Sequence, residues 1–213
     1  MSVRTLSILI SVLLLGACNR PGQAPDDGTP PAATPPTSAA PVESAPSAER
    51  SPEPQPATPV AEPARVARAD LQPTEGNTAT GSLELRAEGD GVRISGRIGG
   101  LAPDTVHGFH IHETGDCSAP DASSAGGHFN PGSDPHGNPA DGPHHAGDIP
   151  NQRSDANGNA DIDVLVPGIE LGTGSSTDVE GRALILHAER DDYTSQPSGN
   201  SGARIACGVI GAS

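Results

Sequence analysis

The sequence contains no lysine and no tryptophan, and it has only one tyrosine and two phenylalanines among its 213 residues. All 12 basic residues are therefore arginines, set against 27 acidic residues, and the formal net charge is −15. A protein with this charge repels phosphate groups and other anionic surfaces. We therefore expect no nucleic-acid partner.

The sequence also lacks long hydrophobic runs and amphipathic helical patterns. Its 27 glycines and 23 prolines favour turns, loops and disordered segments over a helix-rich core. The apolar run from Leu6 to Leu15 is too short to span a bilayer, and it follows the basic Arg4. With the small residues Gly16 and Ala17 behind it, the run is typical of a lipoprotein-type signal peptide over residues 1–17.

The three cysteines bear on the compartment of the protein. Leu15-Gly16-Ala17-Cys18 resembles a bacterial lipobox, which predicts cleavage before Cys18 and lipid on its sulfur; the alternative is an ordinary signal peptide with an incidental cysteine. A lipid on Cys18 leaves Cys117 and Cys207 as a pair, with Cys117 as a metal thiolate as the alternative. We expect a membrane-anchored lipoprotein of the periplasm or cell envelope. Asn19 is not acidic, which favours the outer membrane.

Composition divides the rest of the chain into a linker and a folded domain. Residues 18–73 are rich in proline and alanine without periodicity, which is typical of a disordered linker. Residues 74–213 then form the predicted domain. The segment Val66 to Leu71 is an alternative first strand, but its pattern is weak.

Short alternating segments separated by glycine or proline turns predict an all-β domain. Leu83 and Leu85 alternate with polar residues before the turn at Gly89-Asp90-Gly91, and Val92, Ile94 and Ile98 continue the inward set. Further strands are expected around Ile162 to Val166, from Arg182 to His187 and from Arg204 to Ile210. The pattern fits an antiparallel sandwich or barrel.

Seven of the eight histidines lie between His107 and Asp148, and His187 is the eighth. In Gly108-Phe109-His110-Ile111-His112 the alternation is strict, so on a strand His110 and His112 leave one face together. The stretch from Glu113 to Asp148 is poor in large apolar residues, and a loop of this length usually carries function. These features predict a metal site.

The candidate ligands are too many for one four-coordinate ion, but they suit two ions that share one bridging residue. They are His110, His112, His128, His136, His145, Asp148 and His187. The strand histidines and His187 are the natural copper set, because four nitrogens favour Cu(II). His136, His145 and Asp148 are the natural zinc set, with His128 as the bridge.

The motifs at these positions resemble those of the copper/zinc superoxide dismutase family, in its exported bacterial lipoprotein form. The resemblance runs from about Val66 to Gly211 and rests on six segments: Gly108-Phe109-His110-Ile111-His112-Glu113, Gly127-His128-Phe129-Asn130-Pro131, His136-Gly137, His145-Ala146-Gly147-Asp148, Leu186-His187 and Gly202-Ala203-Arg204-Ile205-Ala206-Cys207-Gly208-Val209-Ile210. It implies an eight-stranded, immunoglobulin-like Greek-key β-barrel with a long metal-binding loop. It also implies an oxidoreductase that converts superoxide to dioxygen and hydrogen peroxide.

The resemblance implies a role for each site residue. One copper per subunit is held by His110, His112, His128 and His187, and one zinc by His128, His136, His145 and Asp148. Copper changes valence in two steps, while His128 takes up a proton and Arg204 holds the anion. Asp191, or its neighbour Asp192, links a copper histidine to a zinc histidine. Cys117 and Cys207 form the disulfide of the family, and a homodimer is one assembly that the family uses.

Three features qualify this interpretation. His107 and His144 exceed the two-metal count, so His107 is expected to bond the backbone and His144 to be exposed, unless His144 exchanges roles with His145. The segment from Asp191 to Gly202 has no lysine, which predicts weak long-range attraction of the anion. The alternative functions are a copper-binding or copper-delivery protein without turnover, which needs no Arg204, and a zinc-stabilised structural module.

Overall fold

The computed structural model describes residues 64–212, and these form nine β-strands and no α-helix. The strands are β1 (Val66–Pro73), β2 (Thr80–Glu88), β3 (Gly91–Gly99), β4 (Val106–His112), β5 (Asp148–Arg153), β6 (Ala160–Pro167), β7 (Ala183–His187), β8 (Arg204–Val209) and the two-residue β9 (Gly211–Ala212). The predicted all-β class is confirmed. Among these residues there is no helix with the length and apolar character needed to span a membrane. The signal segment and Cys18 lie outside the described residues.

The strands form one antiparallel sheet that curls into a nearly closed barrel. The order of its eight main strands is β5-β4-β7-β8-β1-β2-β3-β6, and β9 pairs with β1. Strand β1 pairs with β2 over most of its length, and its end at Gln72 and Pro73 pairs with β8. Several neighbours in this order are distant in sequence, so some connections pass over intervening strands, as in a Greek key. The eight-stranded Greek-key prediction is confirmed.

The interior of the barrel is filled by the alternating residues that the sequence predicts. Leu83, Leu85, Val92, Ile94 and Ile98 are each 0% exposed. Opposite faces of the same strands carry charged side chains, as a two-sided sheet requires.

The folded domain begins earlier than the predicted boundary at residue 73, because Val66–Pro73 form β1. The inward residues of β1 are Ala67, Ala69 and Leu71, which are buried against the core. Two of these three are alanines, so the hydrophobic alternation is faint in the sequence, although the strand pairs with β2 from Val66 to Leu71. Small inward residues explain why this strand resembled the end of the linker.

Strand β4 carries two of the predicted ligand histidines on its outer face. Phe109 and Ile111 point into the main core, whereas His110 and His112 lie on the other face and are still only 0% and 1% exposed. They are buried because the long connection between β4 and β5 folds back over them. The disulfide between Cys117 and Cys207, with its Cα atoms 5.8 Å apart, ties the start of that connection to β8.

Candidate metal centre

Four imidazole rings converge outside strands β4 and β7. His110 and His112 come from β4, and His187 ends β7 where the pairing with β8 shifts register. Such an irregularity re-aims a side chain. The ring of His128 approaches that of His110 to 4.0 Å between centroids. One potential ligand atom from each of the four lies within 4.8 Å of the others, so one ion about 2 Å from each could hold them.

A second cluster adjoins the first and shares His128 with it. Its members are His128, His136, His145 and Asp148, and their potential ligand atoms also lie within 4.8 Å of one another. Asp148 Oδ2 is 3.0 Å from His136 Nδ1, and Asp148 Oδ1 is 3.4 Å from His145 Nδ1. The cluster therefore has three nitrogens and one oxygen, which is a suitable set for tetrahedral zinc.

Backbone pairing places the loop residues of the second cluster. Residues 129–147 contain no strand or helix, but the N–H of Phe129 donates to the carbonyl of Ile111, and that of Ile111 donates to the carbonyl of Gly147. A Cβ on Gly147 would lie 2.3 Å from the Ile111 carbonyl oxygen, so only glycine allows this approach. His128 and Asp148, which flank these contacts, are thereby fixed beside β4.

The buried nitrogens test whether the two clusters suit metal ions. Six buried side-chain polar atoms within residues 64–212 lack a hydrogen-bond partner, and all are imidazole nitrogens of these clusters: His110 Nδ1, His112 Nε2, His128 Nε2, His136 Nδ1, His145 Nδ1 and His187 Nε2. A buried polar atom without a partner is costly. Lone pairs that converge in this way are what a cation would satisfy.

In two of these rings, a hydrogen bond at one nitrogen determines that the other nitrogen keeps its lone pair. His112 Nδ1 lies 3.0 Å from the carbonyl of Gly126, and His187 Nδ1 lies 3.3 Å from that of Gly202. Because a carbonyl only accepts, each Nδ1 carries the proton and each Nε2 keeps its lone pair. The chain therefore holds these neutral imidazoles ready to bind a metal ion.

Asp191 joins the two clusters through its carboxylate. Oδ2 accepts from His110 Nε2 at 2.8 Å, and Oδ1 accepts from His136 Nε2 at 2.9 Å. Asp191 is 0% exposed, whereas its neighbour Asp192 is exposed and bonds residues of its own loop. The geometry therefore places Asp191, and not Asp192, between the two sets of histidines.

Arg204 lies beside the first cluster. A cavity of about 430 Å³ is lined by His112, His128 and His187 together with Arg204, and it opens to solvent. The Arg204 guanidinium donates to the carbonyls of Ala122 and Gly126, each at 2.6 Å. Gly126 also accepts from His112, so one carbonyl orients both a ring and the cation. The cavity thus combines nitrogens that could bind a metal ion with one fixed positive charge.

Residues 79–210 match the family model described as copper/zinc superoxide dismutase. The chain belongs to the copper/zinc superoxide dismutase family. It is 46% identical over 149 residues to Superoxide dismutase [Cu-Zn] 2 of Aquifex aeolicus, an alignment that covers 68% of this chain and 85% of that protein.

Two further comparisons come from Bacillus subtilis. The superoxide dismutase-like protein YojM is 44% identical over 138 residues, which cover 62% of this chain and 69% of that protein. The crystal structure of a double mutant of a SOD-like protein superposes with a TM-score of 0.60 at 44% identity, covering 66% of this chain and 94% of that chain. The copper/zinc superoxide dismutase fold is therefore supported by sequence and by structure.

Within this copper/zinc superoxide dismutase domain, the histidine pKa values differ between the two clusters. Burial is the main influence on His110, His112 and His187, and it lowers their pKa values to about 4, 2 and 3. Burial alone would also lower the pKa of His136, but its contacts with Asp148 and Asp191 outweigh burial and raise that pKa to about 9. A zinc ion at this cluster must therefore displace a proton from His136.

The two histidines outside the clusters differ from each other. His107 is buried, and its Nδ1 donates to the carbonyl of His187 at 2.8 Å, so the predicted backbone bond is confirmed. His144 was predicted to be exposed but is partly buried, because its Nδ1 bonds the carbonyl of His145 at 2.7 Å. The ring of His145, not that of His144, enters the second cluster.

Sequence patterns do not identify the amide side chains that support the site. Asn151 bonds the backbone of Asp191, and Gln196 bonds the backbone N–H and carbonyl of His136 at 2.9 and 2.8 Å. These partners are 40 and 60 residues apart in sequence. An amide that bonds a distant backbone has no characteristic spacing, so no pattern could have identified it.

Proposed function

We propose that the chain is an oxidoreductase that dismutates superoxide to dioxygen and hydrogen peroxide outside the cytoplasm. The observation that carries the proposal is the convergence of six unpartnered imidazole nitrogens in two clusters, with a fixed arginine at the open side of one. Family membership gives these clusters their chemistry. Two superoxide ions and two protons yield one dioxygen and one hydrogen peroxide.

The two clusters are assigned to different metals from their donor atoms. His110, His112, His128 and His187 offer four nitrogens and would hold copper, whereas His128, His136, His145 and Asp148 offer three nitrogens and an oxygen and would hold zinc. When bound, copper supplies a reversible one-electron change and zinc supplies a fixed positive charge. The ligand residues are those that the sequence predicted, and the donor chemistry supports this assignment.

The chain itself contributes charge, orientation and a proton site. The Arg204 guanidinium keeps its charge at neutral pH and faces the cavity, where a small anion such as superoxide can accept its remaining N–H groups. His128 Nε2 is unpartnered and its residue lines the same cavity, so this atom can take up a proton and deliver it to the product. Both roles need no movement of the barrel.

Metal analysis with a superoxide assay tests the proposal. Purified protein loaded with both ions should contain one copper and one zinc per chain and should remove superoxide. The His110→Ala and His187→Ala variants should lose copper and activity together. Wild-type protein that binds both metals but leaves superoxide untouched would contradict the proposal.

That last outcome would favour the second candidate function, copper binding or delivery without turnover. Delivery requires ligands but has no use for a cation aimed at an anion-sized cavity. The two carbonyl contacts of Arg204 hold its guanidinium there, which is why dismutation is the better supported function.

Export and lipid anchoring are also part of the proposal. We infer that residues 1–17 are removed as a lipoprotein signal, that Cys18 carries lipid, and that a linker connects it to β1, with the domain in the periplasm and the outer membrane as the favoured anchor. The disulfide supports an oxidising compartment, and the chain is similar to extracellular superoxide dismutases of Haemonchus contortus and Brugia pahangi. The Cys18→Ser variant should leave the membrane fraction. A homodimer remains a prediction of the family resemblance, to be checked by sedimentation.

A further inference from the structure

Asp191, whose carboxylate joins the two clusters, is itself held through its backbone by a residue of the barrel. Asn151, on β5, bonds both backbone polar groups of Asp191. The Asp191 N–H donates to Asn151 Oδ1 at 2.8 Å, and Asn151 Nδ2 donates to the Asp191 carbonyl at 2.9 Å. The amide thus makes the two hydrogen bonds that a neighbouring strand would make, and these fix the position and direction of the Asp191 backbone.

Tyr193 closes the same arrangement from the other side. Its hydroxyl accepts from the Asn151 backbone N–H at 2.8 Å, and its own backbone N–H donates to Asp191 Oδ1 at 2.7 Å. Asp191, Asn151 and Tyr193 therefore form a closed hydrogen-bonded ring. We call these three residues the Asn151 clasp.

The neighbourhood leaves the Asp191 carboxylate little freedom. A Cβ added to Gly199 would lie 1.7 Å from Asp191 Oδ1 and 2.6 Å from His136 Nε2, so the backbone of Gly199 packs closely over the bond between them. Gly199 also has φ +64°, which an L side chain rarely adopts. The carboxylate is thus covered by glycine backbone and secured by the Asn151 clasp.

We propose that Asn151 is a positioning residue that sets the geometry of both metal clusters at once, because it fixes Asp191 to strand β5. This inference rests on the proposed function. Asn151 lies three residues after Asp148 on the same strand, so β5 carries a zinc-cluster carboxylate and also positions the carboxylate that contacts His110 of the copper cluster. Loss of the clasp should therefore affect both clusters, although Asn151 contacts neither metal-binding atom.

Gln196 provides a matched comparison. It bonds the backbone of His136 with the same bidentate geometry, but its target belongs to the zinc cluster alone. The test compares Asn151→Ala and Gln196→Ala with Asn157→Ala, an exposed position in the turn before β6. Full-length variants loaded with copper and zinc are examined by copper electron paramagnetic resonance and by the rate at which a chromogenic chelator removes zinc.

The Asn151→Ala variant should release zinc about tenfold faster and should also change the copper hyperfine splitting. Gln196→Ala should accelerate zinc release and leave the copper spectrum as in the wild type, and Asn157→Ala should alter neither. A folded Asn151→Ala protein with both properties unchanged would overturn the inference. So would a change in zinc release alone, because Asn151 would then support only the loop.

Two controls separate a failure of this inference from other failures. Wild-type protein that binds neither metal would refute the proposed function. If the wild type binds both metals and Asn151→Ala has the same zinc-release rate and copper spectrum, only the positioning role is refuted. If Asn151→Ala does not fold, Asn151→Asp keeps the shape and one acceptor but loses the donor to the Asp191 carbonyl. That variant should show both changes to a smaller extent, and wild-type values for both would overturn the inference.

Discussion

Arg204 is the residue on which the distinction between catalysis and metal storage rests. We predict that Arg204→Ala lowers kcat/KM for superoxide about 100-fold, because a preorganised cationic donor is lost from the cavity. Copper and zinc content should not change, since Arg204 belongs to neither cluster.

Arg97→Ala serves as the control for Arg204, because Arg97 is exposed and pairs with Asp161 on the outer face of β3. It removes the same charge from the whole protein without touching the cavity. Wild-type kcat/KM in Arg204→Ala, measured beside this control, would refute the anion-holding role.

The buried histidines make the stability of the metal-free protein depend on pH with two opposite signs. His110, His112 and His187 have folded pKa values of about 4, 2 and 3, below the ordinary 6.5. The unfolded chain therefore binds more protons below pH 6.5, and stability falls as the pH drops. The pKa of His136 is raised to about 9, so its contribution is complete below pH 6.5 and disappears as the pH rises through 9.

These two opposite pH dependences predict that the free energy of unfolding of the metal-free protein has a maximum between pH 6.5 and pH 9. Urea denaturation at a series of pH values measures it directly. The acidic limb should shrink in a His112→Gln variant, because one buried imidazole is then absent. A free energy of unfolding that stays level from pH 5 to pH 10 would show that these rings are not buried as described.

Residue types and spacing predicted which side chains meet in the two clusters, because imidazole is their main donor and only two of the eight histidines lie outside them. The alternation of Phe109, His110 and Ile111 was sufficient to place two ligands on one face. Asn151 and Gln196 could not be predicted in this way, since an amide that bonds backbone has many equivalent positions in a loop. Residue spacing therefore does not identify the side chains that hold the candidate ligands in place.

At the scale of elements, we expect the loop over residues 129–147 to depend on a bound zinc ion for its order. It contains no strand or helix, and its His136 and His145 meet Asp148 at the start of β5. We predict that His136→Ala lowers zinc occupancy and makes this loop susceptible to proteolysis before copper binding is lost, because the copper set does not include His136.

Limited proteolysis with mapping of the cleavage sites, beside metal analysis, measures this order of events. His144→Ala is the matched control, because His144 lies in the same loop but outside both clusters. Equal resistance to cleavage in His136→Ala and wild type would mean that the loop is ordered without the ion.

The strands themselves were predictable wherever large apolar residues alternate, as in β2 and β3. Strand β1 was predicted only as an alternative, over Val66 to Leu71, because alanine at positions 67 and 69 gives little hydrophobic contrast with its polar neighbours. Its place in the barrel comes from pairing with β2 and β8, which are tertiary contacts. Hydrogen bonding to neighbouring strands can therefore stabilise a strand whose hydrophobic alternation is weak.

For the whole molecule, the net charge of −15 opposes the approach of an anionic substrate. Among the residues that line the cavity, Arg204 is the only one with a formal charge when the histidines are neutral. We predict that raising the ionic strength from about 0.01 M to 0.15 M increases kcat/KM two- to threefold, roughly, because screening weakens the general repulsion more than the short contact with Arg204.

Stopped-flow measurement of superoxide decay at several salt concentrations tests this sign. Glu189→Gln removes an exposed negative charge whose side chain lies against Gly202 at the cavity rim, so it should raise the rate at low salt and have little effect at high salt. A steep fall of kcat/KM with added salt in the wild type would instead show strong attractive steering.

The central claim is that two cation sites adjoin and share the ring of His128. Cu²⁺ binds imidazole-rich sites more tightly than Zn²⁺ does, so metal-free protein can be loaded with Cu²⁺ in both clusters. A shared imidazole would couple the two unpaired electrons, and the account predicts that the ordinary electron paramagnetic resonance signal of isolated Cu²⁺ is lost as the second equivalent binds. Two independent Cu²⁺ signals of full intensity would contradict it.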